Sequence, residues 1–94
     1  MTWELCIQQF ETYLKLECRL AENSILAYTS DVRKLSQFAN LEQQNLSPLL
    51  VQPIDLRNFL IYLHELGISA TSQARILSAI KRFYEFLVLE GMIS

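Results

Sequence analysis

The chain has 94 residues, a hydrophobic fraction of 51% and a formal net charge of −2. This is one small domain, residues 1–94, with enough apolar mass for a core and too much for intrinsic disorder. The acidic balance excludes a globally basic nucleic-acid binder, so any attraction to phosphate has to be local.

Thr2 and the stripe Trp3, Cys6, Ile7, Phe10, Tyr13 and Leu14 predict a first helix over about 2–19, capped by Thr2, with Leu5 left exposed. Cys6 and Cys18 fall about three turns apart on it, roughly 18 Å, too far for a disulfide unless that helix breaks. Free thiols in a reducing compartment, and hence a cytoplasmic protein, are expected. A short break at 20–22 leads to a second helix over about 23–39, with Asn23 or Ser24 as cap. Its buried stripe is Ile25, Tyr28, Val32, Leu35 and Ala39. Asn23, Ala27, Ser30, Lys34 and Gln37 face away, and Asp31 sits toward the edge of that polar side.

Residues 40–52 form a connection broken by Pro48, and Leu46, Leu49, Leu50 and Val51 suit it to packing on the domain. Pro53 opens a third helix, because its fixed φ fits the first turn and its missing N–H loses nothing there. Asp55 follows where a carboxylate favours the helix dipole. The helix runs to about Leu66 and buries Leu56, Phe59, Leu60, Leu63 and Leu66. His64 reads as a surface residue. Gly67 turns the chain and Ser69 caps a fourth helix over about 70–90. Its last turns, Phe86 to Leu89, are apolar nearly all round, which suits contact with something beyond this domain and predicts the front part of a longer protein.

The fourth helix carries the functional signal. At 100° per residue, Thr71, Arg75, Ser78 and Arg82 fall on one side, and Ile76, Ile80, Phe83 and Leu87 on the other, flanked by Leu77 and Tyr84. The polar side has hydroxyls and guanidinium groups and no carboxylate before Glu85. Short hydroxyls and free helix-end amides suit phosphate, and the arginine fork suits phosphate or guanine. The acid-free side of the second helix, including Lys34, can lie beside it if the two helices cross. The bland alternative is a solvated helix face.

Three segments of the chain resemble the N-terminal core-binding domain of tyrosine recombinases, the phage integrase and Xer family. They are FETYLKLECRLAENSILAYTSDVRKLSQFA, IDLRNFLIYLHELGISATS and ARILSAIKRFYEFLVLEGMIS, in the family's order and spacing. The resemblance implies an all-α, four-helix SAM-like bundle that forms one half of a clamp on double-stranded DNA. A catalytic domain of the same parent chain forms the other half. By position, Ser24 looks like a phosphate contact near the start of the second helix. Thr71, Ser72 and Arg75 look like first-turn contacts of the fourth, and Lys81 and Arg82 match a basic pair further along. Ala21 stands where the family often has Ser, so a cap or contact is missing there. Protomers of a synaptic assembly are further partners implied.

The candidate DNA-binding residues are therefore Ser24, Lys34, Thr71, Ser72, Arg75, Ser78, Lys81 and Arg82. No catalytic residue, metal ligand or cofactor is expected within the chain, and no membrane span. Tyr13, Tyr28, Tyr62 and Tyr84 lie on helix stripes and read as core or near-core, not as nucleophiles. The nucleic-acid reading requires Arg75 and Arg82 to be exposed and not neutralised by acidic neighbours. On that basis Arg75→Ala and Lys81→Ala should weaken DNA binding with the thermal melt nearly unchanged. The rival reading is a helical protein–protein interaction module without DNA affinity, suggested by the apolar end of the fourth helix and the acidic first helix.

Overall fold

In a computed structural model, which describes residues 2–41 and 46–94, the chain is a helical bundle. Its elements are α1 (Trp3–Leu16), α2 (Glu22–Leu41), a 3-10 turn (Pro48–Leu50), α3 (Pro53–Glu65) and α4 (Ala70–Leu89), and no strand occurs among the described residues. The all-α, four-helix expectation holds.

The boundaries follow from local chemistry. Thr2 caps α1, its hydroxyl accepting from the Leu5 amide at 3.2 Å. The helix stops at Leu16, three residues earlier than expected, because Arg19 turns the chain with φ +53°. The Leu20 amide then reaches back to the Leu14 carbonyl at 3.1 Å, a helix stop usually signalled by glycine. At the start of α2 the Ile25 amide bonds the Ala21 carbonyl at 3.1 Å. Asn23 and Ser24 are thus inside the first turn and not caps.

Asp55 accepts from the Gln52 amide at 2.7 Å and closes the start of α3 behind Pro53. Gly67, at φ +82°, lets the Ile68 amide reach the Leu63 carbonyl at 3.1 Å, and Ser69 caps α4 by accepting from the Ser72 amide at 3.2 Å.

The core is one cluster to which every helix contributes. Phe83 on α4 sits at its centre, edge-on to Phe10 of α1 at 5.3 Å and stacked on Trp3 at 6.3 Å. A second aromatic group joins Phe38 of α2 to Phe59 and Tyr62 of α3. The connection before α3 is held from two sides. The Trp3 indole N–H donates to the Leu46 carbonyl at 2.8 Å, and the Tyr84 hydroxyl donates to the Pro48 carbonyl at 2.7 Å. Pro48 is buried and opens the 3-10 turn, while Leu50 points out.

At the end of α4, Phe86 and Leu87 are buried while Val88 and Leu89 face outward. Two other burial expectations are corrected. Leu66 is exposed, because the chain has left the helix there for the Gly67 turn. Asp31, placed at the edge of the polar side, is buried together with Thr29.

Candidate nucleic-acid interface

α2 and α4 pack against each other, and side chains on their outer edges meet across the seam. Asp31 is the pivot. Its carboxylate accepts from Arg75 Nε at 3.2 Å and from Arg75 Nη2 at 3.1 Å, and it pairs with Lys34 Nζ one turn along α2 at 3.4 Å. The Asp31 side chain is only 5% exposed, whereas that of Arg75 is 59% exposed. A buried carboxylate is tolerated only when paired and hydrogen-bonded, and here two cations do so. Thr29 is buried just before it, with its hydroxyl donating to the Ile25 carbonyl at 3.0 Å.

The expectation that Arg75 lies on an acid-free strip is therefore overturned: the condition that Arg75 carry no acidic neighbour is not met, and Arg82 is only half-exposed, so the local positive surface rests chiefly on Lys81. Arg75 projects from the outer side of α4 as predicted, but its Nε edge is committed to Asp31. Removing Arg75 would strip a buried carboxylate of its main partner, which also revises the expectation of an unchanged melt for Arg75→Ala. A guanidinium carries five N–H donors. Two are used here, and the other three find no protein acceptor among the described residues.

Arg82 is half-buried. Its guanidinium lies 5.2 Å from the centre of the Tyr28 ring, and Nη1 donates to the Tyr28 hydroxyl at 3.3 Å. The Cys18 sulfur and the Tyr28 hydroxyl beside it hold its pKa above the ordinary arginine value. No carboxylate neutralises it among the described residues. Part of its role is to join α4 to α2 by a cation–π contact.

The remaining candidates are placed as follows. Ser78, Lys81 and Arg82 line one depression, walled by Tyr13 and Tyr28 and closed by Glu85 and Leu89. Lys81 is exposed and forms no ion pair among the described residues. It stands between this depression and an apolar groove lined by Leu56, Leu77, Ile80, Tyr84 and Val88. Thr71 is exposed and Ser72 half-buried in the first turn of α4, where the Ser72 hydroxyl accepts from that of Ser69 at 3.1 Å. Ser24 is exposed on the first turn of α2, and among the described residues no hydrogen bond joins it to the cations of α4. The seam thus gathers Lys34, Arg75, Lys81 and Arg82 against Asp31 and Glu85, a positive surplus on an acidic chain.

Asp31 and Tyr28 are the site residues that the sequence reading missed. The signal was present. Asp31 is three residues after Tyr28 and four before Leu35, which puts it on the buried side of α2. Elsewhere, the Tyr84 phenol is pushed well above the usual tyrosine pKa by burial, as befits a structural hydrogen-bond donor. Both cysteines are free, Cys6 buried and Cys18 half-buried. Among the described residues there is no cluster of metal-ligating side chains and no helix long and apolar enough to cross a membrane.

The sequence profile described as "Phage integrase, N-terminal SAM-like domain" matches residues 7–91. The chain belongs to this family. Among curated proteins, this SAM-like domain is 35% identical over 90 residues to the tyrosine recombinase XerD of Chlorobaculum tepidum, covering 96% of the chain and 29% of that relative. It is 39% identical over 89 residues to XerD of Proteus mirabilis, covering 95% and 28%. To the tyrosine recombinase XerC of Leptospira interrogans it is 34% identical over 89 residues, covering 92% and 27%. The chain spans less than a third of the length of these relatives. No solved structure matches. The four-helix SAM-like bundle and the tyrosine-recombinase resemblance read from the three segments are both borne out.

Proposed function

We propose that this domain binds double-stranded DNA as the N-terminal part of a tyrosine-type site-specific recombinase. In this reading it clasps one side of a recombination half-site and positions a catalytic domain that follows it in the parent chain. The observation that carries the reading is the α2–α4 seam, which concentrates cations and hydroxyls on one outer edge of an acidic, recombinase-family domain.

The geometry supports a division of labour. Lys81, exposed and without an ion pair among the described residues, is the main phosphate contact. Thr71, Ser72 and the free amides at the start of α4 make short hydrogen bonds to the backbone, and Ser24 does the same from α2. Lys34 and Ser78 flank the strip, and Arg82 adds charge from its perch on Tyr28. With so few cations, binding by the domain alone is weak and steeply salt-dependent. Chemistry on DNA is left to the parent's catalytic domain, and the domain itself cleaves nothing.

A second reading rests on the apolar groove between α3 and α4, where Leu77 and Val88 are each at least 40% exposed. This groove suits a protein surface, either the rest of the parent chain or a neighbouring protomer in a synaptic assembly. It is compatible with DNA binding. Without DNA affinity, it makes the domain a pure interaction module.

Thr71→Asp separates the two. A carboxylate in the first turn favours the helix dipole, so the melt should not fall. The same charge opposes an approaching phosphate by ~1 kcal/mol at 4 Å in water, about fivefold in affinity. Fluorescence anisotropy with a labelled duplex at low salt reads the result, with Lys81→Ala in parallel. Loss of binding at an intact melt supports the DNA reading. Equal affinity of wild type, Thr71→Asp and Lys81→Ala rejects it.

A further inference from the structure

This inference rests on the DNA-binding reading. We propose that Arg75, braced by Asp31, reads the edge of a guanine base and does not serve as a phosphate contact.

The Asp31 carboxylate takes the Nε and Nη2 donors of Arg75 at 3.2 and 3.1 Å. One N–H of Nη2 and both of Nη1 take no protein acceptor among the described residues, on a side chain that is 59% exposed. Two parallel donors in a fixed plane match guanine O6 and N7 in the major groove. They also match two oxygens of a phosphate, so charge has to decide.

The carboxylate beside the guanidinium offsets its charge and would repel an incoming phosphate. A guanine edge is uncharged. It loses little from the opposed charge and gains the full benefit of directional donors. The phosphate contacts have other sources in this seam: Lys81, and the hydroxyls and free amides at the start of α4. Arg75 is one turn further along α4 than Thr71. A helix end held against the backbone places its next turn into the groove, as recognition helices do.

The Asp31–Arg75 pair is also poorly explained by stability. An apolar side chain of similar size at a buried helix contact is usually at least as stabilising as a buried charge pair. What the carboxylate does supply is a fixed direction for a long side chain that otherwise samples many rotamers, so less freedom is lost when it binds.

The experiment selects preferred duplexes for the 94-residue chain from a randomised pool at low salt, then measures affinity against salt on the selected duplex and on its single-base variants. The expected result is one position where guanine is preferred by about 5- to 150-fold over other bases. Arg75→Lys keeps the charge, loses the fork, and should abolish that preference with the salt slope unchanged. Asp31→Asn frees the guanidinium charge. It should raise affinity for all duplexes, steepen the slope by about one phosphate equivalent, and weaken the guanine preference. Melting curves check the fold of each variant, and Arg75→Lys serves alone if Asp31→Asn does not fold.

The inference is overturned if Arg75→Lys retains the base preference. It is also overturned if Arg75→Ala lowers affinity uniformly and flattens the slope by about one, the signature of a phosphate contact. Wild type that binds DNA with no guanine preference rejects this inference alone. Wild type that binds no duplex at low salt removes the DNA reading and this inference with it.

Discussion

Removing either member of the Asp31–Arg75 pair should have unequal effects on stability, and the inequality follows from where the two side chains sit. The Asp31 side chain is 5% exposed and that of Arg75 is 59% exposed. Arg75→Ala leaves a buried carboxylate with only Lys34, at 3.4 Å, as charge partner. Losing one partner of a fully buried pair costs ~3–5 kcal/mol. Arg75 is more than half in water, so its share is screened and the cost falls to ~1–2 kcal/mol. For a domain of this size that lowers Tm by about 4–16 °C. Asp31→Ala removes the buried charge and lets Arg75 and Lys34 return to solvent, so its cost is smaller, below ~1 kcal/mol. The double variant should melt close to Asp31→Ala, because Arg75 has no further buried partner to lose. Thermal unfolding by circular dichroism of the four proteins at one pH and salt closes the cycle. An Arg75→Ala melt within about 2 °C of wild type, or a lower melt for Asp31→Ala than for Arg75→Ala, would refute the reasoning and return Arg75 to the status of a simple surface cation.

Phe83→Ala should cost ~3–5 kcal/mol, since it empties the centre of the Trp3–Phe10–Phe83 cluster. Urea titration followed by circular dichroism should show a much lower midpoint or no folded baseline. Gly67→Ala should cost ~1–2 kcal/mol through backbone conformation alone, as φ is +82° and an added Cβ meets nothing within 4 Å. Gly67→Asn should recover part of that loss in the same titration. Stability should be lost on the alkaline side. Burial raises the Cys6 thiol and the Tyr84 phenol above their unfolded values. Their contributions are present in full below those unfolded values, near pH ~8.5 and ~10, and disappear as pH climbs toward the folded ones. A Tm profile flat to about pH 8 and falling above it is expected, and Tyr84→Phe should be flatter beyond about pH 10.

Much of the fold was legible because the chain punctuates itself. Pro53, Gly67 and Gly91 mark helix ends by backbone constraint and Ser69 by its side-chain cap, and those ends came out within a residue of expectation. The end of α1 was misplaced because Arg19 adopts a left-handed conformation with no glycine to announce it. The start of α2 is earlier than expected because Asn23 and Ser24, good caps by type, lie two and three residues past the cap position at Ala21. Leu66 reads as core by periodicity, yet the turn at Gly67 carries it outward.

In the candidate site, Thr71, Arg75 and Ser78 face outward, since helical phase alone fixes that, whereas Arg82, the fourth of that stripe, is half-buried. What phase does not reveal is the partner across a helix crossing. Asp31 meets Arg75 over 44 positions of sequence, and Arg82 finds Tyr28 over 54. Whether a strip is free of carboxylates therefore depends on the neighbouring helix as much as on its own residues.

The chain's single tryptophan gives the bundle a built-in optical probe. Its ring stacks on Phe83 while its N–H grips the segment leading into α3. One emission spectrum thus reports on the first helix, the last helix and the loop between the middle two. Loosening of that loop should alter the indole's surroundings before the helices melt, so fluorescence and circular dichroism traces that part company on heating would locate the weakest seam of the domain.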